Sequence, residues 1–337
     1  MKVLVYYNPG ARNDMFEGTR MRKNIKAALE LNSVSWVESV FALPDVVHLL
    51  SPEDEAKAHD AKEDGLKVVV SALYAEEDPF CRYFNRDNAG NLSLKPKAFR
   101  LLESADLVLV PSICAKNALY QCGVSNSHIE VLTPGVNLAR FEKDDPAEAT
   151  VFPRYMRHTP TRPYVMSLGD YEDEKLLMNF KAIAALCPNI DFYFFGSRGK
   201  SVLKEGLIKK YNRESSKNAH YNDAVEDDVY RSGMMGASVF LTFASHPSSL
   251  VVLEAFASKS QVICYGAPTA GEVLVDKKNC YTYSSVEKVA KGIDKYCQGL
   301  LAPTIIEGYK NAKAASLLLV GKQLKAYYES VLKDPEE

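Results

Sequence analysis

The 337-residue chain is nearly neutral, with 41 basic and 43 acidic side chains and a net charge of −2. It therefore lacks the general positive charge with which proteins attract nucleic acid. Hydrophobic residues make up 47% and charged residues 25% of the chain, as in ordinary globular proteins. No apolar stretch approaches the about 20 residues of a membrane helix, and the length allows two domains.

Cysteine and histidine spacing indicates neither a disulfide framework nor a metal site. The seven cysteines are scattered, odd in number and without a Cys-x-x-Cys pair, which is typical of free thiols in a reducing compartment. The six histidines also lack the spacing of metal ligands. We therefore predict a cytoplasmic protein without a structural metal.

Strands and helices alternate over the first 150 residues, which predicts a parallel, doubly wound sheet. The predicted strands cover 2–7, 45–50, 66–73 and 105–111, with a short one from 129. The predicted helices cover 18–31, 52–64, 97–104 and 112–122. Residues 85–94 are rich in Asn, Asp and Gly and are predicted as a flexible connection.

The first of these helices carries four basic residues, Arg20, Arg22, Lys23 and Lys26. Charges in this arrangement ordinarily form a solvated face. A surface that contacts an anionic membrane or an acidic acceptor is the alternative interpretation. On that alternative, the protein lies peripherally at the inner face of a membrane.

A proline-rich stretch without periodicity, 144–163, marks the predicted domain boundary. We expect one domain over 1–150 and a second over 151–314, with a final helix over 315–337 packing back on the first. The second half has predicted strands at 164–168, 191–195, 239–243, 261–265 and 281–283, with weaker strand signals around 220. Its helices are predicted at 175–186, 227–235 and 286–297, and within 303–332.

The strand over 239–243 leads through a polar turn into a helix that begins at Ser248 or Ser249. Serine is a favoured N-cap, and such a turn points backbone N–H groups and the positive helix end into the crevice where phosphate binds. Glu254 lies about one and a half turns into this helix, within reach of a bound ribose. The alternative is an ordinary strand–turn–helix unit with Glu254 on the surface.

Several segments occur together in the order and spacing of one enzyme family. They are Ala105–Ser112 with Ile129–Phe141, Gly169–Lys175, Gly236–Phe243 with Ser249–Ala257, and Asn279 after Asp276. Together they resemble the retaining glycosyltransferases of family 4, which have the GT-B fold. The short chain and several loops are most similar to the small Gram-positive glycolipid glycosyltransferases, which add a hexose to diacylglycerol-type acceptors.

The resemblance implies an α/β fold of two Rossmann-like, doubly wound domains that face a central cleft. It also implies hexose transfer from a nucleotide-sugar, a UDP-sugar in preference to a GDP-sugar, to a lipid or glycan acceptor. No metal cofactor is expected, because cationic side chains and a helix N-terminus stabilise the departing diphosphate.

The same resemblance assigns roles to residues. Glu254 is expected to hold the donor ribose, and Lys175 to neutralise the diphosphate. Gly169 belongs to the phosphate element, and the backbone N–H groups of Ser248, Ser249, Leu250 and Val251 are expected to contact the same phosphates.

The chain departs from the family pattern at three positions. His246 stands where the family has a sugar-binding Glu, and it is either a sugar contact or a turn residue. Asp170 replaces an Arg, whose charge Arg198 or Lys200 could supply unless these form a solvated turn. The segment 70–74 lacks a His found in many members, although the acidic residues 76–78 follow it.

These departures leave two alternatives to an active glycosyltransferase. A homologue that has lost catalysis would serve as a partner or regulatory subunit and expose an apolar interface. A sugar-nucleotide isomerase would cluster acid–base residues at the cleft, and the sequence offers no convincing set.

Overall fold

The computed structural model describes residues 1–7, 17–52, 54–72, 84–86, 92–142, 149–157, 160–171, 173–197, 203–243, 249–266 and 273–333. Within this part of the chain lie two six-stranded parallel sheets and a two-stranded antiparallel one. The strands β1 to β14 are Lys2–Tyr6, Ser35–Val37, Val46–Leu49, Lys67–Ser71, Phe84–Arg86, Leu92–Leu94, Leu107–Val110, Ile129–Val131, Tyr164–Asp170, Asp191–Ser197, Ala219–Asp223, Val239–Phe243, Gln261–Tyr265 and Tyr281–Tyr283.

Helices flank both large sheets. The helices α1 to α12 are Glu17–Leu31, Glu55–Glu63, Pro96–Ser104, Ile113–Gln121, Val151–Met156, Glu174–Leu186, Leu203–Glu214, Asp227–Gly236, Ser249–Ala257, Val286–Cys297, Ile305–Ala314 and Leu317–Leu332. Because helices cover both faces, β7 is hydrophobic and buried along its whole length, and β4 is buried from Val68 to Ser71.

The first sheet has the strand order β2-β1-β3-β4-β7-β8, and the second has the order β11-β10-β9-β12-β13-β14. In each, the chain moves outward in one direction and then returns to the other side of the starting strand. The order therefore reverses between β1 and β3 and again between β9 and β12. These topological switch points are where ligands bind in open α/β sheets.

The predicted fold class is confirmed, with two Rossmann-like domains built from parallel sheets. The left-handed backbone of Gly65 and Gly123, with φ of 74° and 87°, ends α2 and α4 at the predicted positions.

Four regions differ from the sequence prediction. The connection predicted over 85–94 contains the β5–β6 hairpin, in which Phe84 pairs with Leu94. Helix α5 lies inside the predicted boundary, with Phe152 buried beneath it, and Pro153 is tolerated because it sits in the first turn. Strand β2 and helix α7 were not predicted.

The last helix, α12, contacts the first domain after the chain has completed the second. Val320, Leu324 and Tyr328 join the hydrophobic cluster of β1 and α1. The Tyr328 hydroxyl lies 2.7 Å from Nδ1 of His48, which is buried in β3. Helix α11 packs on α9 of the second domain, so the chain crosses between domains at residues 315–316. In the described ranges, no helix has the length and apolar character needed to cross a membrane.

Candidate functional site

The candidate site lies at the switch point of the second sheet, where β9 and β12 run side by side. Val165 and Met166 of β9 pair with Val239 and Phe240 of β12. Each strand is followed by a helix, α6 after β9 and α9 after β12. Since the strands are parallel, both helices begin at the same edge of the sheet. Two positive helix ends therefore meet there, an arrangement that favours an anion.

Lys175 is the second residue of α6 and is exposed. The Asp173 side chain caps this helix by accepting a hydrogen bond of 2.9 Å from the N–H of Leu176. Lys175 itself makes no hydrogen bond or ion pair with any described residue. The structure thus leaves an ammonium group at the edge where its phosphate role was predicted, and that role stays a prediction.

Gly169 lies near the end of β9, where the packing leaves no room for a side chain. A Cβ atom there would stand 2.9 Å from the Phe194 ring and 3.0 Å from Cδ1 of Leu176. The glycine therefore lets α6 approach the sheet closely. This packing explains why a glycine occupies the position, and its contact with phosphate stays a prediction.

Helix α9 begins at Ser249, in agreement with the predicted start. Leu250 is buried in the hydrophobic cluster of the first domain, beside Met21 and Ile25 of α1, while Val251 packs on the core of the second. The first turn of α9 thus lies at the domain interface. Only its backbone N–H groups suit the predicted phosphate contact.

Four further residues named from the sequence belong to two connections that follow strands of the second sheet. His246 and Ser248, in the connection between β12 and α9, and Arg198 and Lys200, after β10, lie outside the described residues. So do the acidic residues 76–78. The backbone of Asp170 ends β9.

Glu254 is fully buried, with a side-chain exposure of 0%, so the alternative of a surface residue is wrong. The Arg20 guanidinium donates from Nε to Oε1 at 2.9 Å and from Nη2 to Oε2 at 2.9 Å. The Tyr230 hydroxyl donates to Oε2 at 2.8 Å. Both carboxylate oxygens are therefore bonded, and a ribose would have to displace Arg20 or Tyr230.

Two further groups complete this cluster around Glu254. Nη1 of Arg140 lies 3.6 Å from Oε1 of Glu254, and Nη2 of Arg140 donates to Asp227 at 2.6 Å. Burial, together with the Glu254 charge, raises the pKa of Tyr230 well above its usual value, so this hydroxyl stays protonated and donates. The cluster joins α1 of the first domain, the segment before α5, and α8 and α9 of the second.

The basic face predicted for α1 is not what the structure contains. Arg20 is 2% exposed and binds Glu254, so its proposed membrane contact is wrong. Arg22 and Lys26 both pair with Glu38, and Lys23 is exposed. The physical reason is helix geometry, because Arg20 lies on the stripe of residues 20, 24 and 28 that faces the protein.

The sequence contained a signal that Arg20 is buried, but it contained no signal that Arg20 pairs with Glu254. Positions four apart share a helix face, and Ala28, eight positions after Arg20, is an apolar residue on the same face. Tyr230, Arg140 and Asp227 were missed as members of the cluster, because nothing in their spacing connects them to Glu254.

Two histidines of the first domain show contrasting surroundings. His48 is fully buried between the Tyr328 hydroxyl and Oγ of Ser71, at 2.7 and 2.8 Å, and burial lowers its pKa to about 3. His59 is exposed on α2, where its ring and the carboxylates of Asp60 and Glu63 lie within 4.8 Å of one another. Exposed polar groups of this kind are common without a metal.

Comparison with known proteins extends the resemblance over the whole chain. The processive diacylglycerol alpha-glucosyltransferase of Acholeplasma laidlawii is 25% identical over 340 residues, which cover 99% of both chains. No protein-family model matches the chain.

Solved structures share the fold. The HepE protein of Anabaena, solved with UDP-glucose, superposes with a TM-score of 0.75 at 13% identity, covering 98% of this chain and 100% of its own. Sucrose-phosphate synthase of Thermosynechococcus elongatus gives 0.73 at 13% identity, covering 98% of each chain. The predicted resemblance to GT-B glycosyltransferases is thus confirmed, while membership of family 4 stays a prediction.

Proposed function

We propose that this protein is a retaining glycosyltransferase that moves a hexose from a nucleotide-sugar to a membrane glycolipid or its diacylglycerol precursor. The observation that carries the proposal is the meeting of two helix N-termini, with Lys175 on one, between β9 and β12. The full-length similarity to a diacylglycerol glucosyltransferase supports the acceptor class. The UDP-glucose bound to HepE supports a UDP-sugar donor.

In the proposed reaction, the bond between the anomeric carbon and the diphosphate oxygen breaks, and an acceptor hydroxyl oxygen bonds to that carbon. The bonding electrons remain on the diphosphate, which also takes the hydroxyl proton. Retention requires the hydroxyl to attack from the face that the diphosphate leaves.

Negative charge grows on the diphosphate as this bond breaks. Lys175 and the first turn of α9 supply positive charge there, so they stabilise the transition state more than the ground state. This arrangement needs no metal, and we expect activity to withstand chelators such as EDTA. His246 replaces a carboxylate in the family pattern and is assigned to the donor sugar, where imidazole offers one donor and one acceptor.

Calorimetric titration with UDP, GDP and uridine tests the donor site. Lys175→Ala should weaken UDP binding about tenfold, the cost of one charge-assisted hydrogen bond. It should leave uridine binding unchanged, because uridine has no diphosphate. Lys209→Ala is the matched control, since Lys209 is exposed on the neighbouring helix α7. Equal losses in the two variants would contradict the assignment of Lys175.

A second titration tests Glu254. If it holds the ribose, UDP must displace Arg20 or Tyr230, and Glu254→Gln should weaken UDP and uridine to the same extent. The acceptor is tested by incubation of UDP-glucose with diacylglycerol in mixed micelles, with the anomeric configuration of the product read by NMR. A β-linked product would exclude retention.

Both carboxylate oxygens of Glu254 already accept hydrogen bonds from side chains of the protein. This favours a second candidate function, that of a homologue that has lost catalysis and acts as a partner subunit. A carboxylate bound to Arg20 and Tyr230 contributes to domain pairing whether or not a nucleotide binds. This candidate predicts no calorimetric response to either nucleotide and no turnover of UDP-glucose. Micromolar UDP binding would exclude it.

A further inference from the structure

A short turn at the edge of the first sheet exposes two large apolar side chains. It consists of residues 39–44, between β2 and β3, and we call it the apolar turn. Phe41 is 93% and Leu43 81% exposed, the highest values among the large hydrophobic residues of the described chain. Single exposed apolar residues are common, but two on one turn require an explanation.

The conformation of the apolar turn is fixed by hydrogen bonds. Oγ of Ser39 accepts from the N–H of Phe41 at 3.3 Å, and the N–H of Leu43 donates to the Val40 carbonyl at 3.0 Å. The Lys2 ammonium donates to the Ala42 carbonyl at 2.7 Å. The side chains of Phe41 and Leu43 therefore project from a supported backbone.

Folding alone explains neither side chain. Leu43 has a left-handed backbone, with φ 53° and ψ 68°, a conformation in which Asn and Gly are preferred over Leu. Phe41 leaves almost its whole surface in water. Both residues oppose the local preference for a polar residue in a turn, which points to a partner outside the chain.

Charges beside the turn indicate the kind of partner. Arg22 and Lys26 share the single carboxylate of Glu38, and their hydrogen bonds and charges lower the pKa of Glu38, that from Lys26 most. This trio keeps one net positive charge, to which Lys2 adds a second beneath Ala42. The Asp45 carboxylate, directly after the turn, lies 3.9 Å from the ammonium of Met1, so the surroundings of the turn stay net positive. Apolar side chains flanked by basic groups suit an anionic lipid surface, whereas a second copy would bring like charges together.

We propose that the apolar turn docks the protein on an anionic membrane, with Phe41 and Leu43 among the lipid tails and the adjacent cations at the headgroup phosphates. The inference rests on the proposed function, since a diacylglycerol acceptor lies in a bilayer. It places the contact on this turn and not on the buried Arg20 of α1.

Vesicle flotation tests the proposal. We expect wild type to bind phosphatidylglycerol-containing vesicles and the Phe41→Ser/Leu43→Asn variant to bind about tenfold or more weakly, because apolar surface is lost from the contact. The variant should remain folded, since Asn suits the left-handed position. The control is Leu300→Asn/Ile306→Gln, which removes apolar residues 70% and 72% exposed in the second domain. It should bind vesicles like wild type.

Several results would overturn the proposal. They are no binding of wild type, equal binding of the turn variant, or an equal loss in the control. Conversion of a wild-type dimer to a monomer by the turn variant would also overturn it, because the turn would then join two copies. UDP affinity is measured in parallel and should be the same in all three proteins. Loss of UDP binding would contradict the proposed donor site, whereas loss of vesicle binding alone concerns only the apolar turn.

Discussion

Arg20 and Glu254 form a salt bridge that joins the two domains and is almost completely hidden from solvent. Their atoms Nη2 and Oε2 are 2.9 Å apart, and the side chains are 2% and 0% exposed. The residues lie 234 positions apart in the chain. Removing two charges from water offsets most of their attraction. We therefore infer that the pair fixes the relative placement of α1 and α9 more than it adds to stability.

Loss of one partner should be far more harmful than loss of both. Arg20→Met leaves the Glu254 carboxylate buried with reduced compensation, and we expect the free energy of unfolding to fall by about 3–5 kcal/mol. The Arg20→Met/Glu254→Gln variant should recover part of this loss, because no buried charge pair remains to be satisfied. Urea unfolding of the single and double variants measures the coupling.

Arg22 offers a matched control for Arg20. It lies on the same helix and pairs with Glu38, but both side chains are partly exposed, at 31% and 59%. Arg22→Met should therefore cost less than about 1 kcal/mol. Equal effects of the two substitutions would show that Arg20 contributes only as part of the helix surface.

Tyr230 supplies the second donor to Glu254, and its removal should have an intermediate effect. Tyr230→Phe retains the ring over which the Arg20 guanidinium lies, 4.8 Å from the centroid, but deletes the hydroxyl. We expect a loss of about 1.5–3 kcal/mol, the range for a hydrogen bond to a charged group. Thermal unfolding provides the measurement, with the exposed Tyr120→Phe as the control. No loss relative to Tyr120→Phe would mean that Arg20 and Arg140 satisfy Glu254 alone.

Sequence reasoning predicted strand–helix alternation well, because buried parallel strands are short apolar runs that contrast with their surroundings. It failed for elements whose burial depends on distant residues. Helix α5 is short and carries Pro153, and its Phe152 is held by stacking on Tyr164, with ring centroids 5.3 Å apart. Such contacts leave no local periodicity.

In the candidate site, too, local features were predicted and contacts between distant residues were not. Lys175 and Ser249 lie in the first turns of α6 and α9, as predicted, because the signals that start a helix are local. The partner of Glu254 depends on the packing of two domains, which no spacing in the sequence records. Arg20 was accordingly assigned to a surface by its charge, although its helical position placed it on the buried stripe.

His48 should make stability fall in acid. Burial lowers its pKa from about 6.5 to about 3, so the folded protein excludes a proton that the unfolded chain accepts. The stabilisation is complete above about pH 6.5 and is lost as pH falls toward about 3, by about 1.4 kcal/mol per pH unit. Urea unfolding between about pH 4.5 and 7.5 measures this slope.

Replacement of His48 separates this contribution from that of carboxylates. His48→Gln should reduce the pH slope by close to one proton, even if it lowers stability at every pH. The control His59→Gln removes a histidine that is exposed on α2 and should leave the slope nearly unchanged. An unaltered slope in His48→Gln would mean that His48 is not the group responsible.

The close approach of α12 to α1 should make Gly321 intolerant of any side chain. A Cβ atom there would lie 2.3 Å from the carbonyl oxygen of Ala28, and backbone cannot move aside as a flexible side chain can. Gly321→Ala should therefore destabilise the protein by about 1–3 kcal/mol, despite the better helix propensity of alanine. Gly206→Ala is the opposite case, because among the described residues no atom outside the adjoining backbone of α7 lies within 4 Å of a Cβ at that position. It should stabilise by up to about 1 kcal/mol, and thermal melts of both variants in parallel measure the difference. If Gly321→Ala were as stable as Gly206→Ala, the final helix could not lie as close to the first domain as the structure places it.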